Sequence, residues 1–148
     1  MLDKTEGGFL ITQIKQVGGR IFERLLDEAG VDAFNGPQGR LLYVLWQADH
    51  IPIVELARKT GLAKTTLTSM LDRMEETGLV ERIYDKADRR QIRIALTAAA
   101  RALNREYEHV STRMNEIYYK GFTDAEIVLF ENTLRRILRN ITEKENPA

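Results

Sequence analysis

The stretch that decides the fold is Pro52–Thr97, PIVELARKTGLAKTTLTSMLDRMEETGLVERIYDKADRRQIRIALT. Pro52 to Thr60 carries a short helical pattern with Ile53, Leu56 and Ala57 turned inward. Gly61 supplies a left-handed turn residue. The spacing predicts a second helix over Ala63–Thr77, closed by Gly78. Leu79–Asp85 and Gln91–Leu96 read as strands: Ile92, Ile94 and Leu96 alternate with Gln91, Arg93 and Ala95, so one face is buried. Between them Lys86-Ala87-Asp88-Arg89-Arg90 forms a charged hairpin tip. Two short helices around a tight turn, then a two-stranded ribbon, make the pattern of a winged helix-turn-helix.

Within the second helix Leu67, Met70, Leu71 and Met74 fall at i, i+3, i+4 and i+7 and face a core. At about 100° per residue, Thr65, Ser69 and Asp72 then point away, with Thr66, Thr68 and Arg73 on the flanks. Lys64 sits in the first turn. Hydroxyls bond to base edges and phosphates, and a threonine methyl packs on a thymine methyl. A solvated helix face also accommodates Ser and Thr, but these residues cost helix propensity, and such a face more often carries Glu, Lys or Ala. At the hairpin tip Asp85 or Asp88 can orient a neighbouring guanidinium through a bidentate pair. An oriented Arg on a thin ribbon can enter a minor groove. Lys64, Thr65, Thr66, Thr68, Ser69 and Arg73 on the helix, and Lys86, Asp88, Arg89 and Arg90 on the ribbon, are therefore the candidate contacts to double-stranded DNA.

The chain has 148 residues, with 22 basic and 22 acidic side chains. A net charge of zero is unusual for a polyanion binder, but the charge is unevenly divided. Between Arg58 and Arg93 there are nine basic and six acidic residues, a local excess of +3. Local charge governs phosphate attraction. No cysteine is present, which excludes a disulfide scaffold, a cysteine-ligated metal site and a thiol switch. The two histidines, His50 and His109, lie in different segments without ligand-like spacing, so no metal site is expected. No catalytic group or cofactor is assigned: a Ser-His-acid order with motif context and a glycine-rich phosphate loop are both missing from the sequence. No apolar run approaches the ~20 residues of a membrane helix, and the start lacks the features of a signal peptide. A cytoplasmic protein is expected, with no membrane partner.

Outward from the reader, Gly8–Ala29 has helical apolar rows, Ile11, Ile14, Gly18, Ile21, Leu25 and Leu10, Val17, Phe22, Leu26, ended by Gly30. Asn35 is the expected N-cap of the next helix, with Pro37 in its first turn. Asp49–Pro52 reads as a connection. Thr97 is expected to cap one long helix from Ala98 to about Tyr119, broken at Gly121, and Thr123 to cap a last helix ahead of a frayed tail, EKENPA. The predicted order is α-α-α-α-β-β-α-α: mainly α with a small β-hairpin wing. Residues 34–97 form the winged DNA-binding region, and 1–33 with 98–148 form a helical dimerisation region within one continuous protomer. Apolar rows at both ends of the chain are best covered by each other and by a second copy.

Taken together, VELARKTGL, KTTLTSMLDRMEETGLVER and DKADRRQIRIALT resemble the MarR family of transcription regulators. The matching positions are Leu71, Arg73, Met74, Glu75, Gly78, Leu79, Val80 and Arg82, then Asp88 and Arg90 in the wing, then Leu96-Thr97. The resemblance implies a homodimer with interlocked terminal helices, a recognition helix over Ala63–Thr77 and Arg90 as the minor-groove residue. It also implies a repressor modulated by a small aromatic or phenolic effector, bound between the dimerisation and DNA-binding parts. Arg20, Arg24, Tyr43, Trp46 and Tyr107 lie near where such a pocket would be. The alternative for these five is that the aromatics are core and the arginines surface groups or interchain ion pairs. The sequence departs from the family at Thr97, where TAAAR lacks a capping-box Glu, and at Ile51-Pro52, where a hydroxyl cap is usual. An enzyme, and a winged domain used only for protein contacts, are the competing classes. The first lacks a catalytic set, and the second needs neither the Thr/Ser face nor the Arg-bearing tip.

Overall fold

The computed structural model of the chain describes residues 1–88 and 90–146. The elements run α1 (Gly7–Glu28), α2 (Gly36–Gln47), β1 (Ile51–Pro52), α3 (Ile53–Thr60), α4 (Lys64–Glu76), β2 (Val80–Tyr84), β3 (Ile92–Leu96), α5 (Ala98–Arg101), α6 (Asn104–Tyr118) and α7 (Asp124–Glu145). The chain divides into two compact units, Met1–Met114 and Asn115–Ala148.

In the first unit one apolar core gathers Phe22, Leu25 and Leu26 from α1, Leu41, Leu42 and Leu45 from α2, and Leu67, Leu71 and Met74 from α4. The second half of α1 is thus built into the reader's core. The first half leaves Phe9, Leu10, Ile11, Ile14 and Val17 exposed. Asn35 accepts from the Gln38 N–H (2.9 Å) while the Gln38 side chain accepts from the Asn35 N–H (3.1 Å), so α2 starts with a capping box. Gly39 lets α2 approach the aromatic cluster: a Cβ there would lie 2.9 Å from the Tyr107 ring and 3.1 Å from that of Phe34. Gly61, at φ +71°, makes the sharp turn between α3 and α4.

The sheet has three strands in the order β1-β3-β2, all antiparallel. The expected connection at Asp49–Pro52 is therefore partly an edge strand, Ile51 pairing with Ile94 and Pro52 with Arg93. It is two residues long and contains a proline, which an edge tolerates, so it carries no periodic signal. β3 is consequently the middle strand, packed against α2, α3 and α5. Ala95, expected to face out, is buried there.

The single long helix expected after Thr97 is two helices. Thr97 caps α5 by accepting from the Ala100 N–H (3.1 Å). The Ala100 carbonyl then accepts from the Leu103 N–H (3.1 Å) and from the Trp46 indole N–H (3.0 Å). This three-residue turn, held by a side chain of α2, interrupts the α ladder before α6 begins. In the second unit Thr123 and Glu126 form a capping box at the start of α7. The Tyr119 hydroxyl donates to Glu131 (2.6 Å), and its pKa is pushed up to about 12 by desolvation and by the neighbouring carboxylate. The tail is less frayed than expected: α7 runs through Glu145 before Asn146, and Pro147 and Ala148 lie outside the described residues. α7 buries none of its described residues, and Val128, Leu129, Ile137, Leu138 and Ile141 are exposed along it.

Candidate nucleic-acid interface

The helix α4 is fixed from below by Leu67, Leu71 and Met74, all buried, with Met70 half-buried. The opposite face is exposed at Lys64, Thr65, Thr66, Thr68, Ser69, Asp72 and Arg73, as the 100° spacing requires. The Thr68 hydroxyl donates back to the Lys64 carbonyl (2.9 Å), and the residue remains exposed. Ala63 occupies the N-cap and provides no side-chain cap. The first-turn N–H groups and Lys64 therefore face solvent together, and helix starts of this kind attract phosphate.

The wing is braced by its own acids. Asp85 accepts from the Ala87 N–H (2.8 Å) and the Asp88 N–H (3.4 Å), which folds the tip. Asp88 accepts from both the Arg90 N–H (3.1 Å) and the Arg90 guanidinium (3.3 Å). The expected bidentate pair is thus a single carboxylate oxygen shared between backbone and side chain, because the same oxygen also closes the turn. The Arg90 side chain remains 94% exposed while held in this way. Lys86 is exposed beside it. Arg89 lies outside the described residues.

Two features that govern the site's geometry are given no role by the sequence pattern. The first is Arg82 on β2, whose guanidinium donates to Asp72 (2.7 Å) and Glu75 (3.0 Å) of α4. These partners outweigh the effect of burial and raise its pKa, and they tie the wing to α4. The second is the corner at Asp49–His50, where His50 adopts φ +56°. Burial raises the pKa of the Asp49 carboxylate, but the Leu96 N–H (2.9 Å), the His50 N–H (2.8 Å) and the Arg101 guanidinium (3.0 Å) hold it below its ordinary value on balance. Arg93 donates to the His50 carbonyl (2.9 Å), so one corner joins the end of α2, the edge strand β1, the middle strand β3 and α5. Since the Asp49 pKa is depressed in the fold, its stabilisation is complete above the unfolded value and is lost as pH falls through the folded one. Thermal unfolding followed from pH 6 to below about pH 4 is expected to show a fall in stability that is smaller in Asp49→Asn.

The five residues near the expected effector site separate. Tyr107 is buried and Trp46 half-buried, packed together with ring centroids 5.3 Å apart. Phe22 and Phe34 join them around Tyr107 at 6.0 and 6.1 Å. Tyr43 reaches the cluster (5.9 Å from Tyr107) but is exposed. Arg20 and Arg24 are exposed on α1. Arg40, which the sequence reading passed over, lies over the Phe22 ring at 5.9 Å. An open depression of about 340 Å³ between α1 and the start of α2 is walled by Glu23, Asp27, Asp32, Phe34 and Gln38, and includes none of the five. Among the described residues no cluster of three or more His, Asp or Glu could hold a metal ion, and no helix is long and apolar enough to cross a membrane.

This arrangement matches proteins already known. The MarR family model matches residues 34–92. The uncharacterized HTH-type transcriptional regulator YsmB of Bacillus subtilis (strain 168) is 34% identical over 134 residues, covering 88% of this chain and 85% of that protein. A crystal structure of a MarR mutant from E. coli complexed with operator DNA superposes with a TM-score of 0.78 at 27% identity, covering 88% of this chain and 92% of that one. A MarR transcriptional regulator from Methanosarcina mazei Go1 shares the fold, with a TM-score of 0.81 at 22% identity over 95% of this chain and 99% of that one. The chain belongs to the MarR family of DNA-binding transcriptional regulators and is not an enzyme.

Proposed function

We propose that the protein is a cytoplasmic homodimeric repressor that binds a pseudo-palindromic operator, with α4 in the major groove and the β2–β3 wing in the flanking minor groove. The observation that carries this reading is the pairing of two exposed features within one compact unit: the hydroxyl-rich face of α4 and the Asp88-held Arg90 at the wing tip. The winged fold presents such elements to adjacent grooves, and the E. coli relative is known in complex with operator DNA. Exposed apolar rows on the first half of α1 and along α7 supply the surface for a partner copy. The effector is a small aromatic molecule that approaches Tyr43 and the cations Arg20 and Arg24. Trp46 and Tyr107 support the wall of that site from the core.

The test is selection of preferred duplexes from a random library by the full-length protein and by single variants. Thr65→Ala and Ser69→Ala are expected to change which sequences are recovered, because base contacts specify while phosphate contacts position. Arg73→Ala is expected to weaken binding to all sequences alike and to flatten the salt slope by about one. Unchanged sequence preference in Thr65→Ala and Ser69→Ala contradicts the assignment of α4 to the groove.

A further inference from the structure

Asp72 sits on the outward face of α4 with its side chain 60% exposed, one turn beyond Thr68 and Ser69. A bare carboxylate at that place would face phosphate oxygens, and like charges brought together at an interface cost binding. The structure supplies a counter-charge from a different element. Arg82, on β2, has its side chain only 15% exposed and donates to Asp72 at 2.7 Å. The same guanidinium reaches Glu75 at 3.0 Å and lies 3.5 Å from the Thr68 carbonyl. The two acids differ in what else they hold. Glu75 also accepts from the Arg82 backbone N–H (3.3 Å), a bond that survives truncation of the Arg82 side chain. Among the described residues Asp72 has Arg82 as its sole partner.

We infer that Arg82 is a positioning residue for DNA binding that masks the Asp72 carboxylate on the groove-facing side of α4, and so keeps the recognition surface from repelling the operator backbone. The inference rests on α4 being the recognition helix. It gives Arg82 a role distinct from that of a phosphate contact, because most of its side chain is withdrawn from solvent and its charge acts through Asp72. The same pair fixes the wing root against α4, so one guanidinium both sets the charge and holds the register of the two DNA-facing elements.

The experiment uses the full-length protein and a duplex recovered by selection with the wild type, with a random-sequence duplex as competitor. Arg82→Ala is expected to weaken binding about tenfold or more at low salt, with the deficit shrinking as salt is raised, because the exposed repulsion is screened. Adding Asp72→Asn to that variant is expected to restore binding to within roughly threefold of wild type. Asp72→Asn alone is expected to bind no more weakly than wild type. A role as a brace alone gives the opposite pattern: Asp72→Asn weakens binding by itself, and the double variant is no better than Arg82→Ala, which overturns the mask. Circular dichroism checks the fold; if Arg82→Ala does not fold, Asp72→Asn alone decides between the two. Thr65→Ala and Ser69→Ala are measured in parallel. If they alter binding but Asp72→Asn restores nothing, the mask falls and the recognition helix stands. If no substitution on α4 moves DNA binding, the helix assignment falls and takes the mask with it.

Discussion

Arg90→Ala is expected to lower operator affinity by about 2 kcal/mol, roughly thirtyfold, and to leave folding and assembly unchanged. The side chain is almost fully exposed and touches no core residue, so little folding energy is at stake. Its exposure is also why the loss falls on binding: the guanidinium is held at the tip of a narrow hairpin by Asp88, in a position to enter a groove where narrow A·T steps concentrate negative potential. Asp88→Ala should produce a smaller loss, since it removes the support and leaves the cation. Equilibrium binding to the selected duplex, alongside thermal unfolding, checks both variants. An unchanged affinity for Arg90→Ala rejects the wing assignment.

The largest effect is expected from two charges on α7. Ile137 and Ile141 lie one turn apart on that helix and are exposed in the single chain. Burying an isoleucine is worth about 1.5–3 kcal/mol, and an unpaired carboxylate in an apolar interface adds a further penalty. Ile137→Glu with Ile141→Glu should therefore leave the protein monomeric at micromolar concentration, where the proposed dimer is expected for the wild type. Operator affinity should fall by about two to four orders of magnitude, because two half-sites are no longer engaged by one particle. The core around Leu41, Leu71 and Ile94 is untouched, so each protomer should keep its helices. Sedimentation and circular dichroism separate these outcomes. A variant that remains a dimer places the interface elsewhere.

The readable parts of the chain are those whose local chemistry agrees with the tertiary fold. Gly61 and Gly78 mark helix ends at left-handed positions, and Asn35 and Thr123 mark helix starts through capping boxes. Leu67, Leu71 and Met74 fix the rotation of α4, which in turn fixes the exposed positions from Lys64 to Arg73. The parts that escaped depend on partners far away in sequence. β1 exists only because Ile51 and Pro52 meet Ile94 and Arg93. The break between α5 and α6 depends on Trp46, more than fifty residues earlier, reaching the Ala100 carbonyl. Asp49 looks like a loop acid until its carboxylate is seen to join Leu96 and Arg101, and Arg82 looks like a free cation until Asp72 and Glu75 enclose it. At the expected effector site, Trp46, Tyr107 and Tyr43 look alike in sequence; only burial separates the first two from the exposed Tyr43.

Hydroxyl-radical footprinting of the wild-type protein on a selected duplex, repeated across a salt series, tests the central claim most directly. Two recognition helices related by a two-fold axis should contact half-sites about one turn, ~10 bp, apart. The account predicts protection symmetric about one centre, with the outermost protection in flanking minor grooves where Arg90 reaches. It also predicts affinity that falls steeply as salt rises, despite a formal net charge of zero. A single asymmetric half-site footprint from a confirmed dimer, or binding indifferent to salt, would contradict it.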